Sequence, residues 1–232
     1  MVIDIAEARE QAVGTEATVE GTATVQAGRI LGERTLVIQD ASGGLPVRLP
    51  SVDLAGDYPR GAIIRATGDL AQPYGNLELR PQDADALTII GSGGLPAVAP
   101  MSSAGLSEAN EGRLATLVAA IDEVDTYDSG AVSIAISDAH GDGKVYAFAP
   151  IALDPGSLER GLTIEATGVV GQRASSSGAA DGYRLWLRGS GDLSVVSAPA
   201  PTPAPDPTAA PDDPADGPDA SKPCLLYTSD AA

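Results

Sequence analysis

Cysteine is all but missing from this chain. The one thiol, Cys224, sits within the last nine residues, so residues 1–223 can form no disulfide and no thiolate metal cluster. Histidine is nearly as scarce. His140 is the only one, which leaves too few ligands for a zinc site; it lies in a glycine-rich turn that supplies no nucleophile elbow for a catalytic triad. P-loop, H-E-x-x-H and strand-linked G-x-G-x-x-G patterns are absent as well. The sequence therefore points away from an enzyme and calls for no cofactor. Basic residues are few, 14 against 32 acidic ones, for a net charge of −18. The imbalance is shared: 13 acids to 7 bases over residues 1–98, 13 to 6 over 99–197, and 6 to 1 beyond. A polyanion gains affinity by releasing counterions to clustered Lys and Arg, so this balance opposes tight non-specific binding to nucleic acid or anionic membrane, though a local basic patch survives a negative total. No apolar run is long enough to span a bilayer, so no membrane insertion is expected, and residues 1–12 lack the basic and apolar regions of a signal peptide.

What is present is a duplication. R-G-x-x-I-x-A-T-G occurs at 60–68 and again at 160–168, making the chain a unit of roughly 95 residues written twice, too long for a solenoid repeat. V-I-Q-D-A-S-G-G at 37–44 returns as A-I-S-D-A-H-G-D at 135–142, and L-E-L-R at 77–80 is matched to L-W-L-R at 185–188. Asp138 and Asp142 flank a turn without the alternating ligand rhythm or closing glutamate of a calcium loop, so the turn is read as a hairpin with solvated acids and no metal.

Within each unit the hydrophobic period is two. Val19, Gly21, Ala23 and Val25 alternate with threonine and glutamate; Leu36 and Ile38, then Leu45, Val47 and Leu49, continue the inward set, followed by Ala62, Ile64, Ala66, Gly68 and Leu70 and then Leu77 and Leu79. The second unit keeps this parity at Leu117, Ala119, Ile121, Ile134, Ile136, Val145, Ala147, Ala149, Leu162, Ile164, Ala166, Gly168, Val170, Leu185 and Leu187, because a one-residue slip would turn every core side chain to solvent. Five strands with small inward residues suit a closed barrel better than a sandwich. Residues 5–12 and 104–111 are expected to form short lead-in helices.

The strand order, the glycine-rich turn after strand two and R-G at the start of strand four resemble the OB-fold. The runs at 6–25, 37–47 and 56–79 are similar to the OB-type modules that accompany secreted bacterial nucleases and lamin-tail surface proteins. The resemblance covers 5–90 well and 105–196 more loosely. It implies an all-β fold of two tandem five-stranded OB-like barrels and an extracellular or cell-envelope setting. It carries no catalytic residues, since the nuclease chemistry of such proteins lies in a separate domain, and the aromatic usually found before Q-D is replaced here by Val37 and Ile38.

The expected layout is barrel 1 over 1–90, a Gly/Pro linker over 91–103, barrel 2 over 104–197 and a disordered Pro-rich tail over 198–223, in which nine of the residues are proline. Residues 224–232, C-L-L-Y-T-S-D-A-A, look like sequencing-adapter read-through at the edge of a metagenomic fragment.

The candidate site rests on parity. Tyr146 and Phe148 alternate with inward Val145, Ala147 and Ala149; Trp186 lies between Leu185 and Leu187; Lys144, Arg184 and Arg188 share the outward phase. Aromatics and cations on one barrel face compose a stacking platform for single-stranded nucleic acid, weak and salt-sensitive. The first unit, aligned by L-E-L-R, has Pro46, Arg48 and Glu78 there. The alternative is that these aromatics pack against the other barrel or under the loop 171–182. Two functional classes follow: a non-catalytic binding or spacer module of an exported or surface protein, or a single-strand nucleic-acid binder using barrel 2; a role as accessory to a nuclease domain not present in this chain is a third reading.

Overall fold

The computed structural model describes residues 1–176 and 178–197; the segments 198–223 and 224–232 lie outside the described residues. The first unit runs β1 (Val2–Ile3), a short helix α1 (Ile5–Arg9), β2 (Glu16–Val25), β3 (Thr35–Gln39), β4 (Gly44–Arg48), β5 (Ala62–Ala71), β6 (Glu78–Arg80) and β7 (Leu87–Ser92). The second repeats the order as β8 (Ala99–Pro100), β9 (Leu114–Thr126), β10 (Val132–Asp138), β11 (Gly141–Ala147), β12 (Thr163–Gln172), β13 (Tyr183–Leu187) and β14 (Leu193–Ser197).

Each sheet closes on itself. β2 pairs with β3, β3 with β4, β4 in parallel with β6, β6 with β5, and β5 returns to β2; β9 to β13 follow the same circuit. This is the five-stranded OB-like barrel, and closure removes the sheet edges that would otherwise template aggregation. Small side chains make the tight circumference possible: Ala17, Ala62 and Ala66 fill barrel 1 around Ile64, while Ala115, Ala119 and Ala166 fill barrel 2 around Ile164. Both isoleucines are fully buried, one at each copy of the repeated motif.

The duplicated aspartates explain the repeated hairpins. The Asp40 carboxylate accepts from the backbone N–H groups of Ser42 and Gly43 within its turn and of Ile5 at the start of α1. Asp138 accepts in the same way from His140 and from Ser103. Each aspartate thus pins the chain entering a barrel onto its β-hairpin, and the Ser103 N–H and hydroxyl hold the Asp138 carboxyl below its ordinary range.

Four details differ from the sequence expectation. Val25 leaves the barrel core, because the ladder shifts register between Ala23 and Val25 and a bulge inverts the side-chain phase. Ala149 is exposed in a one-turn 3-10 segment (Ala149–Ile151) that ends the third strand of barrel 2. The segment 104–111 forms two separate 3-10 turns, Ser103–Gly105 and Glu108–Asn110, in place of a helix. Finally, L-E-L-R and L-W-L-R are not structural counterparts. Leu79 pairs with Val47 and Leu70, as Leu185 pairs with Val145 and Val170, so Glu78 corresponds to Arg184 and Arg80 to Trp186.

A candidate binding cleft between the barrels

The outward parity of barrel 2 is as expected, but part of that face is covered. Trp186 is 2% exposed and belongs to an apolar cluster that joins the barrels: Val25, Ile30 and Val37 from barrel 1 meet Leu114, Val169 and Trp186 from barrel 2. The indole lies over Gly171, where any Cβ would overlap the ring. Backbones also touch directly. Gly44 and Gly112 approach so closely that a side chain on either would overlap the other's backbone, and Gly112 adopts φ +80, a left-handed conformation suited to glycine.

Polar groups complete the junction. The Gln39 side-chain carbonyl accepts from the Leu114 N–H at 2.8 Å in a buried position, and the Arg113 guanidinium donates to the Ser42 carbonyl. The Tyr74 carbonyl accepts from the Ala174 N–H at 2.8 Å. Arg9 reaches across from α1 to Glu108 and Glu111, at 2.9 and 2.7 Å. The Glu111 side chain is fully buried, and burial pushes its pKa up to about 7 despite the neighbouring Arg9 charge.

Beside this junction the barrels leave a cleft of about 570 Å³, within the size range of ligand sites. Five of the chain's eight aromatic side chains line it: Tyr74, Tyr127, Tyr146, Phe148 and Trp186. Four of them form a chain of edge and tilted contacts, Tyr127 to Tyr146 at 6.2 Å, Tyr146 to Phe148 at 4.9 Å and Phe148 to Trp186 at 5.9 Å, running from an exposed ring to the buried indole. Three guanidiniums join them. Arg173 stands 5.1 Å over the Tyr74 ring and Arg184 5.8 Å over Tyr146, while Arg48 comes from β4. Among the described residues none of these three is within ion-pair distance of a carboxylate. Desolvation and the proximity of Arg173 lower the Arg184 pKa, the signature of positive charge gathered in a partly dry place. The one acidic lining residue, Glu78, is buried and held by Arg80 at 2.7 Å.

Two further features mark the cleft. Asn76 is 2% exposed; its side-chain oxygen accepts from the Gln172 N–H, which leaves its amide nitrogen without a partner. The described residues contain three non-glycine left-handed positions, and two of them, Leu31 and Tyr74 (both φ 54), line the cleft. Each costs roughly 1–2 kcal/mol, and such strain concentrates at functional sites.

Of the residues singled out by sequence, Tyr146, Phe148, Arg184 and Trp186 thus line one cleft. Lys144 shares their face but is not in the lining. Arg188 is buried and committed to a bidentate pair with Asp192, while its carbonyl accepts from Arg60. Sequence reasoning missed Tyr74, Tyr127, Arg48 as a participant, and Arg173. All but Arg48 come from loops or strand ends, where parity assigns no face. His140 is exposed, 3.7 Å from Asp138, and no group of three or more metal-ligating side chains is found among the described residues.

No family model matches the chain, and no curated protein matches it either. Among solved structures it is similar to a murine DNA binding protein bound with double-stranded DNA (14% identity over 80% of this chain and 98% of that one, TM-score 0.41). It is also similar to the p204 HINb domain (12%, covering 81% and 100%, TM-score 0.39) and to an OBody bound to hen egg-white lysozyme (12%, covering 45% and 99%, TM-score 0.36). At these scores the likenesses transfer no function to this chain.

Proposed function

We propose that the chain is a non-catalytic binding module whose site is the cleft between its barrels, and that the ligand is single-stranded nucleic acid. The observation that carries this reading is compositional and spatial together. In a chain with eight aromatics and 14 basic residues, five of the former and three guanidiniums with no carboxylate partner among the described residues converge on one cleft. A spacer has no use for such an arrangement, and costs accompany it: desolvated charge, an unpartnered amide and two strained residues. Flat rings and guanidinium planes stack on bases, while arginines pair with phosphates. Arg173 and Arg184 stand 5.1 and 5.8 Å from tyrosine ring centres.

The site so proposed is not an open platform on barrel 2, because Trp186 and Arg188 are taken up by structure. Export or display at the cell envelope, and service beside a nuclease domain like those of the secreted and lamin-tail proteins, extend the same proposal; the adapter-like reading of 224–232 stands beside it. A labelled single-stranded oligonucleotide titrated at low salt tests the reading. Binding should be weak and should fall with a log–log salt slope of about −2 for three phosphate contacts, and Arg48→Ala or Arg184→Ala should each flatten that slope by about 0.7. Absence of binding at low salt would refute it.

A further inference from the structure

We infer that the cleft is the middle of a track crossing the barrel junction, and that its ligand is therefore a strand of several nucleotides and not a mononucleotide. The inference rests on the reading above and adds the ligand's length and path. The cleft shares lining residues with three neighbouring cavities, two of which carry arginines. On one side it shares Leu31, Gly32 and Arg48 with a second cavity of about 540 Å³ on barrel 1, which brings in Arg34. On the other side it shares Tyr74, Arg173 and Arg184 with a cavity of about 490 Å³ formed chiefly by barrel 2. The two shared sets have no member in common. A ligand in the cleft can consequently leave at both ends, each on a different barrel.

Charge follows the same line. Arg34 and Arg48 line the barrel 1 cavity, Arg48, Arg173 and Arg184 the cleft, and Arg173 and Arg184 the further cavity, and among the described residues none is paired with a carboxylate. The acids beside them are Glu33, Asp181 and Glu78. Glu78 is matched by Arg80, and Asp181 accepts from the Ser175 N–H and hydroxyl. A polymer with one anion per unit suits guanidiniums spaced along a groove, whereas a compact ligand would leave the end arginines unused. An acidic polysaccharide shares the charge but lacks aromatic rings. Guanidiniums beside the rings, Arg173 at Tyr74 and Arg184 at Tyr146, add groups that stack on bases.

The test is competition against a labelled oligothymidylate of about 12 nucleotides, within the usual range for OB barrels. Thymidine monophosphate and polygalacturonate are the competitors, on the full chain and on Arg34→Ala and Arg173→Ala. The oligonucleotide should bind at least about tenfold more tightly than the mononucleotide. Arg34→Ala, outside the cleft, should weaken the oligonucleotide and leave the mononucleotide unchanged, whereas Arg173→Ala, inside it, should weaken both, with circular dichroism confirming the fold. Equal binding of mononucleotide and oligonucleotide would overturn the track while keeping the nucleic-acid reading. Indifference of the oligonucleotide to both variants would overturn the track as well. Failure of the oligonucleotide to bind, or equal competition by polygalacturonate, would overturn the nucleic-acid reading itself.

Discussion

The two barrels share a ladder circuit, a hairpin clamp and a core isoleucine, yet their outer faces are complementary opposites. Where barrel 1 places Val25 opposite Val37, barrel 2 places exposed Glu123 opposite Ala135. Where barrel 2 places Val169 opposite Trp186, barrel 1 places Asp69 opposite Arg80. Of these two faces each barrel is apolar only on the one it buries, and the two buried faces are not equivalent. A contact between non-equivalent faces of like units would propagate head to tail if both units carried both faces. Charged residues on the unused faces stop the array at two. The duplication therefore fixed one barrel design, and divergence of outward positions and of loops turned two copies into one joined body with a cleft.

The strongest way to break this comparison is at its hinge residue. Trp186→Ala should cost about 3–5 kcal/mol in urea unfolding, since it empties the centre of the junction cluster. If the loss is below 1 kcal/mol, the barrels are not held together there. Next come the shared cores. Ile64→Ala and Ile164→Ala should each cost about 2–5 kcal/mol, and by similar amounts, because they occupy matching closed sites. A large inequality would show that the barrels differ inside as well as outside.

The junction should also make stability depend on pH. The folded-state pKa of Glu111 is raised to about 7, so the folded protein binds a proton there that the unfolded chain has already released. Stability from this group is full below the ordinary carboxylate range and is lost as pH rises through about 7, on the order of 3 kcal/mol in all. Thermal scans between pH 5 and pH 8 should show the midpoint falling, and Glu111→Gln should flatten that fall while Glu108 continues to hold Arg9. A midpoint that rises with pH over this window, unaffected by the substitution, would contradict the assignment.

The smallest effect is the sharpest comparison. Val25→Ala should cost about 2 kcal/mol, whereas Glu123→Ala at the corresponding position should fall within about 0.5 kcal/mol of wild type. Equal effects at the two sites would mean that the faces are not differentiated.

The barrels were legible in the sequence because period-two alternation, a repeated R-G-x-x-I-x-A-T-G and preserved parity all report strand faces. Parity also placed Tyr146, Phe148 and Trp186 outside their barrel. It could not say what lies outside. That depends on Val25, whose phase a bulge inverts, and on Ile30 and Leu31, which sit in a loop where no period exists. Tyr74 and Arg173 escaped for the same reason, since their meeting across the junction is a tertiary fact. The apparent match of L-E-L-R to L-W-L-R misled because two leucines spaced by one fit a strand in either of two registers, and only the pairing of Leu79 with Val47 chooses.

Trp186 is the only tryptophan in the chain, so its emission reports one place, the point where the barrels meet. Native protein should show blue-shifted tryptophan emission shielded from acrylamide, and it should shift red only as the β-sheet circular dichroism is lost. Red-shifted, readily quenched emission from protein whose sheet signal is intact would contradict the joined-barrel account.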